Sequence, residues 1–225
     1  MHKLLTDRYE TIPWDDLDNI VYDVGNVLIS FHPTRMLDIL FPGERELHER
    51  LMRKVFLSPY WVTLDRGDVP LDEVERAMIG QDQDIAEEIH HTLMTWSELP
   101  PALPEGVLSM RIARSHGKKL FLLSNYNDIF FSRAQERFEF LNEPCVDGMA
   151  ISSRVGFMKP DIAIFNHLAH TYHLDPSRTV FIDDSPVNVE AAMQAGWEGI
   201  WRASADTLPV FMDFRLGASY DRPEP

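Results

Sequence analysis

Three acids and a lysine stand out by what precedes them in the chain. Asp23 closes the apolar run "NIVYD" (19–23), the pair Asp183 and Asp184 closes "RTVFIDD" (178–184), and Lys159 lies in "GFMKPD" (156–161). Ser124 and Asn125 close another such run, "KKLFLLSN" (118–125). Packed together, three carboxylates repel one another, and a bound hard cation removes that cost most simply. Magnesium (Mg2+) suits oxygen ligands and keeps several waters, which leaves room for a phosphate oxygen. A lysine and a serine hydroxyl beside it supply the positive charge and hydrogen bond that a phosphoryl group needs. An acid not used up by the metal is then free to attack phosphorus.

These groups can meet only if the elements carrying them are neighbours. The runs ending at Asp23, Ser124 and Asp183, and a weaker one in "EGIWRA" (198–203), are short, unbroken and rich in residues that suit strands buried on both faces. Between them, "EGVLSMRIARSHG" (105–117), "DIAIFNHLAHTYHL" (161–174) and "VNVEAAMQAG" (187–196) read as helices, the first and last stopping at Gly117 and Gly196. Strands alternating with helices predict an α/β fold with a parallel sheet covered on both faces. In such a sheet ligands gather beyond the carboxyl ends of the strands, where Asp23, Ser124, Asn125, Asp183 and Asp184 would all lie.

Residues 33–104 differ in character. Val74, Met78, Ile85, Ile89, Leu93 and Trp96 recur at helical spacing, and no strand-like run interrupts them. This predicts a helical insertion, closed by "ELPPALPEG" (98–106), where three prolines oppose a continuous helix. The core would comprise residues 1–32 and 105–225. Trp14 and Leu17 could pack on it as a short arm, and the tail "SYDRPEP" (219–225) reads as frayed.

The 225 residues carry 21 Lys and Arg against 36 Asp and Glu, a net charge of −15, which disfavours nucleic acid or an anionic membrane as partner. An anionic substrate must therefore meet a local positive site. The start, "MHKLLTDRYE", makes a poor signal peptide, and no stretch is long and apolar enough to span a bilayer. The single cysteine, Cys145, excludes an internal disulfide and fits a reduced, cytoplasmic setting.

"YDVGNVL", "LLSN", "MKP" and "FIDDSPVN" stand in the order and approximate spacing of the four motifs of the haloacid dehalogenase superfamily, and the insertion falls where that family carries its helical cap. The chain resembles that superfamily from Asn19 to about Ala203, and within it the sugar-phosphate phosphatases that include alpha-D-glucose-1-phosphate phosphatase. The resemblance implies a Rossmann-like core with a C1-type cap over residues 33–104. It implies a magnesium-dependent phosphatase acting on a small phosphorylated metabolite, with a sugar phosphate as leading candidate, in a monomer or homodimer. Asp23 would be the nucleophile and a metal ligand, Asp184 a direct ligand, Asp183 a ligand through water, and the Gly25 carbonyl the last protein ligand. Ser124, the Asn125 amide and Lys159 would hold the phosphoryl oxygens, and Asn188 would steady the metal site. The loop "LDRGDVPLDE" (64–73) would face the site from the cap and offer Asp65 and Arg66 to the substrate.

Gly25 departs from the wider superfamily, where an aspartate that protonates the leaving oxygen usually stands. His32 and Asp65 are the candidate replacements. Taken singly, each residue has a plainer reading: Lys159 as a surface lysine, Asp183 as a solvated neighbour, Ser124 and Asn125 as turn residues. A metal-independent 2-haloacid dehalogenase and a non-catalytic binding or regulatory protein are the alternatives. The paired acids argue against the first, and Gly25 keeps the second open.

Overall fold

A buried strand must pair its backbone groups with those of other strands. In the computed structural model, which describes residues 12–202, five strands do so: β1 (Asn19–Tyr22), β2 (Lys119–Ser124), β3 (Gly148–Ile151), β4 (Thr179–Asp183) and β5 (Glu198–Trp201). They form one parallel sheet in the order β3-β2-β1-β4-β5. Tyr22 pairs with Leu122 on one side and with Ile182 on the other, so β1, β2 and β4 end side by side. The chain winds to one side of β1 through β2 and β3, then crosses to the other through β4 and β5. The crevice at that reversal is where open α/β sheets bind ligands.

Residues alternate between the two faces of each strand. Tyr22, Leu122 and Ile182 face a core that includes Met110, Trp14 and Leu17; Val21, Phe121 and Phe181 face another with Phe165, Ala192 and Trp197. Trp14 and Leu17 are buried, and Lys118 Nζ donates to their carbonyls at 3.0 and 2.6 Å. Residues 1–11 and the tail "SYDRPEP" lie outside the described residues.

Helices α1 (Pro33–Leu40), α2 (Arg45–Leu51), α3 (Pro59–Arg66), α4 (Leu71–Gly80) and α5 (Ala86–Thr95) follow β1. They enclose an apolar cluster of their own, in which Val74, Met78, Ile85, Ile89, Leu93 and Trp96 are all buried. Each such side chain contributes about 1.5–3 kcal/mol on leaving water, enough to hold helices of ten residues or fewer that would not persist alone. Returning to the sheet, the chain forms α6 (Pro104–Ser115), α7 (Asp128–Arg137), α8 (Ser152–Val155), α9 (Ile162–Tyr172) and α10 (Pro186–Gln194).

Three elements of the core escaped the sequence reading, which found four strands: β3, α7 and the single-turn α8. The edge strand β3 is only Gly-Met-Ala-Ile, too short and small to show a pattern, and any Cβ at Gly148 would overlap the Tyr172 ring. Helix α7 begins at a local signal, Asn127 Oδ1 accepting from the amides of Ile129 and Phe130 at 3.0 and 3.4 Å. Among the described residues no helix is long and apolar enough to cross a membrane.

The cap rests on the core through the end of α3. Asn127 Nδ2 donates to the Leu64 carbonyl at 3.2 Å, and the Ser152 hydroxyl donates to the Asp65 carbonyl. Gly67 ends the helix at φ +80°, so close to the core that a Cβ there would lie 2.6 Å from the Ser153 carbonyl oxygen.

Candidate active site

Because β1, β2 and β4 end together, Asp23, Ser124 and Asp183 emerge as neighbours although the outer two are 160 residues apart in sequence. Asp23 Oδ1 accepts from Ser124 Oγ at 2.7 Å and from the Val24 amide at 2.7 Å, and lies 2.8 Å from Lys159 Nζ. All three donors fall on one oxygen, and among the described residues none is found on Oδ2. The carboxylate is thus fixed by one oxygen with the other turned to its surroundings, as attack on an electrophile requires.

Lys159 is buried, not a surface lysine, and its Nζ also lies 2.6 Å from Asp183 Oδ2. Its backbone is clamped by Asn125, which donates from Nδ2 to the Lys159 carbonyl at 2.9 Å and accepts the Lys159 amide on Oδ1 at 2.8 Å. The Asn125 side chain therefore places the lysine, a role the sequence reading did not assign to it. Burial works against the ammonium, but Asp183 and Asp23 outweigh it and raise its pKa above the ordinary value. Burial also pushes Asp23 up to about 7; Lys159 opposes this, while Asp183 and Asp184 reinforce it.

Oxygens of Asp23, Asp183 and Asp184 lie within 4.8 Å of one another. An all-carboxylate set suits a hard divalent cation such as magnesium. The two adjacent acids differ sharply. Asp183 is fully buried, and both its oxygens are engaged: Oδ1 accepts from the Ser185 amide at 2.7 Å, Oδ2 from Lys159, and Asn188 Nδ2 reaches each at 3.1 Å. Asp184 is only half-buried and faces the pocket, its Oδ2 accepting from Asn26 Nδ2 at 3.0 Å. Burial raises its pKa, and the Asn26 bond opposes the rise.

Asn26 is the residue of the candidate site that the sequence reading overlooked. Its backbone turns at φ 53°, a left-handed conformation that Asn tolerates. Its side chain accepts from the Phe31 amide at 2.8 Å while holding Asp184. The Gly25-Asn26 pair was the available signal.

Above the strand ends lies a cavity of about 240 Å³, walled by Asp23, Gly25, Asn26, Ser124, Asn125, Lys159, Asp184 and Asn188 from the core side. Phe31, Trp61, Trp96 and Tyr126 close it with aromatic rings, Trp61 and Trp96 having centroids 5.2 Å apart and Trp96 stacking on Tyr126 at 6.3 Å. Among this wall's described residues Lys159 is the one cation.

Of the two cap residues expected at the site, Asp65 lines the cavity and Arg66 does not. Arg66 points outward, its side chain half exposed and Nη1 3.5 Å from Asp68 Oδ2. His32 is exposed at the start of α1 and is likewise absent from the wall. At Gly25 an added Cβ would meet nothing within 4 Å, so that side of the cavity is open space.

Comparison with known proteins gives a consistent family. A model described as haloacid dehalogenase-like hydrolase matches residues 17–196. D-ribitol-5-phosphate phosphatase from Bacteroides thetaiotaomicron is 26% identical over 192 residues, covering 81% of this chain and 90% of that one. A sesquiterpene phosphatase from Aspergillus oryzae is 23% identical over 200 residues, covering 87% and 93%. Among solved structures, a family enzyme from Bacteroides thetaiotaomicron in complex with magnesium and inorganic phosphate superposes with a TM-score of 0.64 at 20% identity, covering 82% of this chain and 93% of its own.

Proposed function

We propose, from the premise that this chain belongs to the haloacid dehalogenase-like hydrolase family, that it is a magnesium-dependent phosphomonoester phosphatase working through an aspartyl-phosphate on Asp23. The observation that carries the reading is the Asp23 carboxylate, held on one oxygen by Ser124 and Lys159 and, among the described residues, left without a donor on the other. Asp23, Asp184 and the Gly25 carbonyl would hold magnesium directly. Asp183, whose oxygens are already engaged by Lys159, Asn188 and Ser185, would act through water. When bound, the metal offsets the clustered negative charge and polarises a phosphoryl oxygen.

The chain's own residues do the rest. Asp23 Oδ2 attacks phosphorus, the bond to the alcohol oxygen breaks, and water then hydrolyses the acyl phosphate, regenerating the carboxylate. The Lys159 ammonium, the Ser124 hydroxyl and the Asn125 amide hold the phosphoryl oxygens as charge redistributes. The cap, seated on Asn127 and Ser152, brings Trp61 and Trp96 over the cavity and leaves space for a small alcohol.

A sugar phosphate remains the leading substrate, in keeping with the ribitol-5-phosphate phosphatase among the relatives. The aromatic wall of Phe31, Trp61, Trp96 and Tyr126 favours a second reading, an apolar alcohol of the kind a sesquiterpene phosphatase releases. Phosphate release from a panel of sugar, polyol and prenyl monophosphates, with magnesium and with chelator, tests both. Activity on at least one class that chelator abolishes is expected. Halide release from a 2-haloacid without metal, with no phosphate release, would replace this reading by the dehalogenase one.

A further inference from the structure

Expelling an alkoxide from phosphorus is costly unless a proton arrives with it, and a positioned acid contributes roughly 10² to 10⁴ in rate. Gly25, two residues beyond Asp23, offers no group for that task. Among the described residues, five titratable side chains line the cavity: Asp23, Asp65, Tyr126, Lys159 and Asp184. Asp23 is the proposed nucleophile. Lys159 is engaged with Asp23 and Asp183, so giving up its proton would leave both acids without their cation. Asp184 belongs to the carboxylate cluster and is tied to Asn26. Burial holds the Tyr126 phenol well above its ordinary pKa, which makes it a poor donor near neutrality.

We propose that Asp65, delivered by cap helix α3, protonates the departing alcohol oxygen and then takes a proton from the water that hydrolyses the aspartyl-phosphate. The inference rests on the phosphatase reading. As Asp23 Oδ2 bonds to phosphorus and the ester P–O bond breaks, the Asp65 proton passes to the leaving oxygen, giving a neutral alcohol and an Asp65 carboxylate. Attack of water on phosphorus then sends one water proton to Asp65 and returns the electron pair of the acyl-phosphate bond to Asp23, restoring both groups.

The environment of Asp65 suits a group that must be acid and base in turn. Burial pushes its carboxyl up to about 7, against hydrogen bonding from the Asn127 backbone and the Trp61 side chain. Both forms are thus accessible near neutrality. The charged or titratable groups that face it are Tyr126 from the core, whose phenol feels the Asp65 charge, and Asp23, Lys159 and Asp184 across the cavity. Its own helix adds Trp61, and Arg66 turns away to Asp68. Placement depends on cap docking, since the Ser152 hydroxyl bonds the Asp65 carbonyl and Asn127 bonds that of Leu64. The contacts that seat the cap on the core therefore also place the acid.

The test is single-turnover phosphorylation of Asp23 in wild type, Asp65→Asn, Asp65→Ala and Asp65→Glu, with 4-nitrophenyl phosphate and with a primary alkyl phosphate, across pH. In Asp65→Asn and Asp65→Ala the ratio of aryl to alkyl rates should rise about 10²-fold or more, and the fall in alkyl rate expected of wild type above pH 7 should vanish. Asp65→Glu should recover part of the alkyl rate. Equal slowing with both esters, or an Asp65→Asn variant that changes KM alone, overturns the assignment while leaving the phosphatase reading intact. If wild type forms no phosphoenzyme with any ester, the phosphatase reading falls and this one with it.

Discussion

Replacing Lys159 by Met in metal-free protein probes the charge balance at the centre of the site. The ammonium lies 2.8 Å from Asp23 and 2.6 Å from Asp183, with all three side chains buried. Removing one partner of a buried ion pair costs about 3–5 kcal/mol, because the remaining charge stays desolvated. At about 2–4 °C per kcal/mol for a chain of this size, the melting temperature should drop by about 6–20 °C. The deficit should also depend on pH. A carboxyl whose pKa is raised by folding binds its proton more tightly folded than unfolded, so stability falls as pH climbs from the unfolded value of about 4 towards the folded one. With Lys159 present, Asp23 reaches only about 7; without it, the window of falling stability extends further upward. Lys159 itself is raised and stays protonated below its unfolded pKa of about 10.4, so its stabilisation is complete throughout pH 5–8 in wild type. The Met variant should therefore lose less at pH 5 than at pH 8. Thermal unfolding in chelator, followed by circular dichroism at both values, reads this directly. A loss below about 2 °C, or the same loss at both pH values, would refute the charge-balance argument.

Asp23→Asn should fold yet form no phosphoenzyme, since an amide cannot make the acyl phosphate; acid-stable radiolabel from a labelled ester should be seen only in wild type. Asp184→Ala should abolish magnesium binding by titration calorimetry and make chelator irrelevant to the residual rate, whereas tight binding in that variant would displace Asp184 from the ligand set. Asn26→Gly keeps the positive-φ backbone but removes the bonds to Asp184 and to the Phe31 amide. It should weaken magnesium by about 10- to 100-fold, and unchanged affinity would show that Asn26 serves the turn alone.

Much of the architecture was readable along the chain because it depends on local pattern. β1, β2 and β4 are continuous apolar runs, as strands covered on both faces must be, and each leads to a candidate site residue: Asp23 directly follows β1, while Ser124 and Asp183 close β2 and β4. The cap helices were legible from Val74 to Trp96 because burying one face imposes a 3.6-residue period. β3 left no such trace, since Gly148 is dictated by the distant Tyr172 ring. The division between Asp183 and Asp184 is also tertiary. Adjacent residues at a strand end project in opposite directions, and only the packing of Lys159 and Asn188 decides which acid is saturated and which faces the cavity. Likewise, Asp65 and Arg66 are adjacent on α3 and had equal claim from sequence; docking of the helix end on Asn127, Ser152 and Ser153 turns the acid inward and leaves the arginine in solvent. The link from Asn26 to Asp184 spans 158 residues. Such distances are set by how the layers pack, because a residue's type specifies what it can bond to while the assembled fold selects the partner within reach.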